Sequence, residues 1–373
     1  MKRVIFAASM LAISFTLMSC GGEKKPQGDP DLIKVAIDET FKPVMEEEMH
    51  QFNLKYPEAT FKYYYCSESE ALQMLLDDSV RSCLATRQLS DKEKATLQAR
   101  SLNVMTERIA TDGIALIVNR SNPDTLISTN DVFRIVTGQV TRWEQIKYAH
   151  QSGEIQLVFD NTQSSTVRYV EDSICGGKAL KGNVYAQKSN EAVIDYITSN
   201  PKAIGIIGVD WLRNENDSTN LSFLPKIRVM SVSNSSIPEV DNSYKPFQAY
   251  IALGNYPYVR AVYYMTTDPL MQGKARYFYH FLAEQKGQLI ITKSSQLLPW
   301  MQVQFKEVNI KENRTPVTRK IKHRTNQKSA ASHQRCGLFV FLKSITPFIR
   351  TLFFALFHNY QIFRLLRHFP LLL

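Results

Sequence analysis

The sequence predicts an α/β protein built on a parallel sheet, and three observations carry that expectation. A β-prone segment followed by a helical segment occurs three times between residues 31 and 99. A strand end, a cluster of short polar residues and a helix start recur at four places. The 373-residue chain is long enough for two packed domains, and no internal repeat or low-complexity stretch lies between residues 31 and 313.

Asp31 to Asp38 (DLIKVAID) alternates weakly and forms a first strand. Glu39-Thr40-Phe41-Lys42-Pro43 then turns into a helix over Val44 to Tyr56, with Pro43 in the first turn, where its missing N–H costs nothing. Thr60 to Cys66 (TFKYYYC) is aromatic and β-prone. Ser67-Glu68-Ser69-Glu70 opens a helix through Leu76 with a polar cap and acids in its first turn. Ser82 to Thr86 is a third strand, and Arg87 leaves it for a charged helix, Asp91 to Ala99.

Glu107 to Asn119, with Asp112-Gly113 at its centre, reads as a crossover into a second domain. There, helices are expected at Asn130 to Thr137 and Glu191 to Ser199, with a turn carrying Trp143. Ile155 to Phe159 and Ala203 to Val209 are strands, and Gly205 and Gly208 in the latter suggest close backbone approach. Asn214 to Asn220 is a polar loop. Ala249 to Gly254 and Ala261 to Thr266 read as strands and Lys274 to Gln285 as an amphipathic helix; Gln288 to Thr292 and Leu297 to Trp300 close the fold near Asn313.

The fourth polar cluster is the richest. In Leu157 to Ile174 (LVFDNTQSSTVRYVEDSI) a strand end meets a helix whose apolar residues are Val167, Val170 and Ile174. Between them stand Asp160, Asn161, Thr162, Gln163, Ser164, Ser165 and Thr166. One helix cap needs only one of these side chains. In an open parallel sheet the strand C-termini share one edge, where ligands bind. Hydroxyls and an arginine on that edge suit a small oxyanion. Taken alone, Ser67 fits a helix cap better than a ligand contact, and Arg87 fits a solvated surface residue; Thr40 suits either. Ser164, Ser165 and Thr166 are too many for capping.

Charge and cysteine usage exclude several classes. The formal charge is +10, but residues 1–20 and 314–373 hold basic residues and no acids. Residues 21–313 carry 32 basic and 35 acidic residues, so no nucleic-acid partner is expected of the body. Cys66, Cys83, Cys175 and Cys336 lack metal-ligand spacing, and neither a metal nor a cofactor is expected. Cys66 and Cys83 could pair as a disulfide or remain buried thiols. His50, His150 and His280 stand alone, and no Gly-x-Ser-x-Gly, Gly-x-x-x-x-Gly-Lys or His-Glu-x-x-His motif occurs, so a binding protein is expected rather than an enzyme.

The start of the chain reads as a targeting segment. Lys2 and Arg3 precede an apolar stretch, Val4 to Met18, too short for a membrane span. Leu17-Met18-Ser19-Cys20 followed by Gly21-Gly22 resembles the lipobox of bacterial lipoproteins. That resemblance implies a signal peptide over 1–20, a lipid on Cys20, a polar tether over 21–30 and a periplasmic protein anchored to a cell-envelope membrane. At the other end, residues 314–373 are basic, then apolar but broken by Lys343, Pro347, Arg350, Arg364 and Arg367. They read as an extension outside the fold, with a membrane-surface helix the alternative.

Over most of residues 31–313 the chain resembles the phosphate-binding proteins of bacterial ABC importers, in their lipoprotein branch. The carrying motifs are Thr40-Phe41-Lys42-Pro43 after the first strand; Ser164-Ser165-Thr166 where the family has Ser-Gly-Thr; Asn200 to Val209 around Ala203-Ile204-Gly205; Tyr258 to Tyr264; and Gly287 to Ile291 with Leu298-Pro299. The resemblance implies a type II periplasmic-binding-protein fold of two α/β lobes joined by two crossover strands. One lobe would comprise 31–111 with 245–313, and the other 112–244. It implies inorganic phosphate as ligand, ABC permease subunits as partners, and a monomer. The implied contacts are Thr40, Phe41, Ser67, Thr86, Ser164, Ser165 and Thr166, with Asn161 beside them and Arg87 supplying charge, so that Arg87→Ala would cost affinity. Two departures stand out. Ser165 replaces a glycine, so a positive φ there would be strained. The family's proton-accepting aspartate after the third strand is replaced by Ala85-Thr86-Arg87, leaving Glu68 or Asp160 to take its part. A sensory or adhesion lipoprotein that kept the fold is the alternative; a phosphate-ester hydrolase would need a nucleophile or metal cluster.

Overall fold

Strand β1 (Leu32–Asp38) is the centre of a three-stranded parallel group because Ile33, Val35, Ala36 and Ile37 are all fully buried. It pairs in parallel with β2 (Thr60–Cys66) on one side and β3 (Ser82–Ala85) on the other. Each strand feeds a helix: α1 (Lys42–Lys55), α2 (Glu68–Leu76) and α3 (Asp91–Gln98). The computed structural model describes residues 29–268 and 273–302. The signal segment, Cys20, most of the tether and the C-terminal extension lie outside these residues.

Helix starts follow the sequence chemistry. Pro43 opens α1, the Ser67 hydroxyl accepts from the Glu70 N–H, and Ser90 and Glu93 form a reciprocal capping box on α3. Phe52 of α1 meets Phe278 and Phe281 edge-on at 5.1 and 5.3 Å, closing the core over this side of the sheet. Truncating Phe52 to alanine would cost about 3–5 kcal/mol.

The crossover is one long strand, β4 (Met105–Val118), buried without interruption from Ile109 onward. A short parallel pair links it to a second unit: β5 (Leu126–Ser128) lies beside β10 (Ser231–Ser233), which pairs with β11 (Ser243–Tyr244). Helix α4 (Thr129–Val136) covers that side. A second parallel group follows, with β6 (Gln156–Phe159) between β7 (Val184–Ala186) and β8 (Ala203–Gly208). Helices α5 (Ser165–Tyr169) and α6 (Asn190–Ser199) belong to it. Strand β9 (Arg228–Val229) pairs with β4.

The return strand is β12 (Val259–Thr266), antiparallel to both β3 and the first half of β4; the second half of β4 pairs with β8. The sheet order is therefore β2-β1-β3-β12-β4-β8-β6-β7. Two parallel groups, each with its own core, are joined through β4 and β12: two α/β lobes on two linking strands. Helices α8 (Lys274–Ala283) and α9 (Gln285–Ser294) and strand β13 (Leu298–Pro299) complete the first lobe.

One segment corrects the sequence expectation. Ala249 to Gly254 is not a strand; Gln248–Ala252 is a short helix, α7. Gly254 stops it at φ +72°, the left-handed residue that ends many helices. Gln248 fixes it by donating to the carbonyls of Thr292, Ser295 and Leu297 at 3.2, 3.1 and 2.8 Å. The open question of Cys66 and Cys83 also resolves. Both thiols are free, because β1 runs between their strands, and two strand spacings exceed what a disulfide can bridge.

Candidate functional site

The four polar clusters meet between the lobes. The 3₁₀ turn after β1 (Glu39–Phe41) is set by Asp38, whose carboxylate accepts from the Thr40 N–H at 3.1 Å. Thr40 and Phe41 are fully buried. From the other lobe the Ser165 hydroxyl comes within 3.5 Å of the Thr40 hydroxyl. Gly208, at the end of β8, leaves room for this: a Cβ there would lie 2.3 Å from Thr40 Cγ2.

The Asp160–Thr166 cluster divides its work. Ser164 caps α5 by accepting from the Val167 N–H at 3.2 Å. Asn161 shapes the turn, accepting from the Gln163 N–H and donating to Asp160. Ser165 and Thr166 are fully buried, and Thr166 Oγ1 has no hydrogen-bond partner among the described residues. Ser165 lies in the first turn of α5, outside the left-handed region, so the replacement of glycine introduces no strain. One residue caps, one turns the chain, and two face inward.

Glu68 and Thr86 are committed to a cross-lobe lock. Glu68, 2% exposed, accepts from the Thr86 N–H and hydroxyl at 2.6 and 2.7 Å. Arg168 reaches over from α5, with Nε to Glu68 Oε2 at 2.6 Å and Nη2 to Thr86 Oγ1 at 2.7 Å. Burial works against the Glu68 charge, but Arg168 and the Thr86 donors prevail and hold its carboxyl below the usual range. A second cross-lobe contact joins Glu39 to the Asn190 backbone and side chain.

Arg87 takes no part in these cross-lobe contacts. Its two Nη atoms fork onto Glu93 at 2.9 Å each, within the first turn of α3. Ser67, half-buried, uses its hydroxyl as the α2 cap.

Of the charged groups at this junction, the sequence offers Glu68 and Asp160 but not Arg260, Asp112 or Asp38. Arg260 on β12 stands directly opposite Asp112 on β4, and its Nε donates to Asp112 Oδ2 at 2.9 Å with both side chains buried. Asp112 also accepts from the Val209 N–H. The Arg260 guanidinium lies 5.6 Å from the Phe41 ring centroid, and its Nη1 and Nη2 have no hydrogen-bond partner among the described residues. Asp38 Oδ2 and Asp160 Oδ1 are likewise buried and unpartnered. Burial pushes the Asp38 carboxyl up to about 7; Glu68 adds to the rise and Arg260 opposes it. Burial raises Asp160 as well, against the Ser164 hydroxyl. A charged residue inside an otherwise apolar strand was the available signal for Arg260 and Asp112.

A family model described as a PBP superfamily domain matches residues 24–286. The chain belongs to the PBP superfamily. Among relatives of this PBP-superfamily chain, the phosphate-binding protein PstS of Staphylococcus epidermidis is 20% identical over 294 residues, which is 77% of this chain and 86% of that one. A phosphate ABC transporter substrate-binding protein from Clostridium perfringens, solved with bound phosphate, superimposes with a TM-score of 0.60 at 19% identity, covering 72% of this chain and all of that one. An ABC-type phosphate transport receptor from Vibrio cholerae gives 0.53 at 19%, with the same coverage. These likenesses establish the two-lobed binding-protein fold. No group of three or more metal-type ligands gathers among the described residues, and none of their helices is long and apolar enough to cross a membrane.

Proposed function

We propose that this chain is the solute-binding component of an ABC importer, capturing inorganic phosphate between its lobes and delivering it to a permease. The observation that carries the reading is a set of buried groups without partners at the junction of the lobes, with Asp38 and Asp160 both within the influence of Arg260. Arg260 offers two N–H-bearing nitrogens and Thr166 a hydroxyl, while Asp38 and Asp160 each offer a free carboxylate oxygen. Buried polar groups without partners are rare and each calls for a reason. A guest that accepts hydrogen bonds and also donates them satisfies this set, and a protonated phosphate does both. Sulfate at neutral pH has no proton to give and leaves the carboxylate oxygens facing anionic oxygen.

The relatives named above are phosphate-binding proteins, which agrees with this choice of ligand. Ser165, Thr40 and the Phe41 backbone complete the proposed ligand shell. Thr86 and Arg168 act one step removed, by tying the lobes. Ser67 and Asn161 shape their loops, and Arg87 is left out. We assign residues 31–111 with 245 onward to one lobe and 112–244 to the other, closing like jaws over the anion. Export, a lipid on Cys20 and a monomeric state belong to the same proposal.

Isothermal titration of the purified chain with phosphate, sulfate and molybdate tests it. Heat with phosphate, and weak or no heat with the other two, is the expected result. Silence with all three removes the transport reading in favour of a sensory or adhesive lipoprotein.

A further inference from the structure

The buried cluster at the lobe junction contains more acid than base. Two ion pairs neutralise themselves, Arg168 with Glu68 and Arg260 with Asp112. Asp38 and Asp160 remain, both 1% exposed and each with an unpartnered oxygen. The groups facing Asp38 are Glu68, Arg260, the Ser165 hydroxyl, the Thr40 N–H and, on the neighbouring strand, the Cys66 thiol. Those facing Asp160 are Ser164, Asn161, Arg260 and Glu39. Tyr169 also lies near Arg260 and Asp112. Among the described residues one cation, Arg260, is shared between the two surplus carboxyls, and its Nε is already engaged with Asp112.

An oxyanion entering here brings negative charge into a dry site that already holds an excess of it. Burying unpaired charge is prohibitive, and anionic oxygens in contact cannot all stay ionised. Protons resolve the conflict: hydrogen phosphate brings one of its own to one carboxylate, and a further one, taken from solvent, is shared between the second carboxylate oxygen and a phosphate oxygen. Resting on the phosphate reading, we infer that ligand capture by this chain is coupled to proton uptake at Asp38 and Asp160, so that affinity rises as pH falls.

The sign follows from which state holds the proton more tightly. In the free protein the Asp38 carboxyl ionises at about 7. A bound anion raises it further. Above neutrality, therefore, the complex carries a proton that the free protein has lost, and each pH unit of increase weakens binding about tenfold per proton taken up. Below neutrality Asp38 is already protonated and its part of the dependence flattens.

Titration calorimetry with phosphate at mildly alkaline pH, repeated in buffers of different ionisation enthalpy, reads the proton count directly and needs no variant. At least one proton taken up per phosphate is expected. Asp38→Asn mimics the protonated carboxyl and should lower that count by about one and flatten the pH profile above neutrality; Asp160→Asn tests the second position. Phosphate bound by the unmodified chain without proton uptake overturns the inference while leaving the phosphate reading intact. So does an uptake that neither variant alters. Absence of phosphate binding at every pH overturns both.

Discussion

Arg168 and Glu68 lie 100 residues apart and on opposite lobes, yet Arg168 Nε donates to Glu68 Oε2 at 2.6 Å and Nη2 to Glu68 Oε1 at 3.3 Å. The pair holds the lobes together before any guest contributes. Arg168→Ala is therefore expected to favour the open form and weaken phosphate binding about ten- to a hundredfold, the worth of hydrogen bonds to a charged group. Calorimetry gives the affinity, and small-angle scattering with and without phosphate reports whether the free protein has opened. An unchanged Kd would show that the pair contributes nothing to closure.

Arg87→Ala should leave phosphate affinity essentially unchanged. Its fork is spent on Glu93, which it holds down at about 2, within one helix turn and partly exposed to solvent. The loss appears as at most about 1 kcal/mol of stability, read as a small drop in melting temperature. Arg260→Lys is the contrasting variant. It keeps the charge but loses the planar fork that pairs with Asp112 and leaves two nitrogens for the ligand. A loss of about ten- to a hundredfold in affinity is expected there by calorimetry.

Gly208→Ala introduces a methyl 2.3 Å from Thr40 Cγ2 without any change in backbone preference, since Gly208 has φ −67°. The overpacking should cost about 1–3 kcal/mol in chemical denaturation and displace Thr40, weakening phosphate binding as well. Full stability in this variant would mean that the lobes pack less tightly at Thr40 than the contact implies.

Asp210 governs part of the fall in stability from acid to neutral pH. Burial pushes its carboxyl up to about 8, although Oδ2 accepts from the Val44 N–H. A carboxyl raised on folding contributes stability that is complete below its unfolded value and is lost as pH rises through the folded one. Thermal melts should therefore show stability declining between the ordinary carboxylate range and about pH 8. Asp210→Asn, which keeps an oxygen for Val44, should flatten that decline; an unaltered pH profile would refute the assignment.

Much of the architecture was legible because its determinants are local. Pro43 opening a helix, Ser90 facing Glu93, and the polar cluster at Asp160 to Thr166 each act within a few residues. That locality also produced the errors. Arg87 stands at a strand end where an anion contact would sit, but Glu93, six residues on, captures it. Ala249 to Gly254 has strand-like composition, and tertiary anchoring of Gln248 makes its first part a turn of helix. Asp38 was read merely as the last residue of a strand. Arg260 and Asp112 are separated by 148 residues, and their pairing depends on two linking strands that no spacing rule aligns. Arg260 and Asp112 were the least visible part because each is defined by a distant neighbour.

The opposition of Arg260 to Asp112 on β12 and β4 has one more consequence. Both residues belong to the strands that join the lobes, so the guanidinium is held by the linking strands rather than by either flank. Under the phosphate reading, its two remaining nitrogens would therefore be offered to a guest from the junction itself.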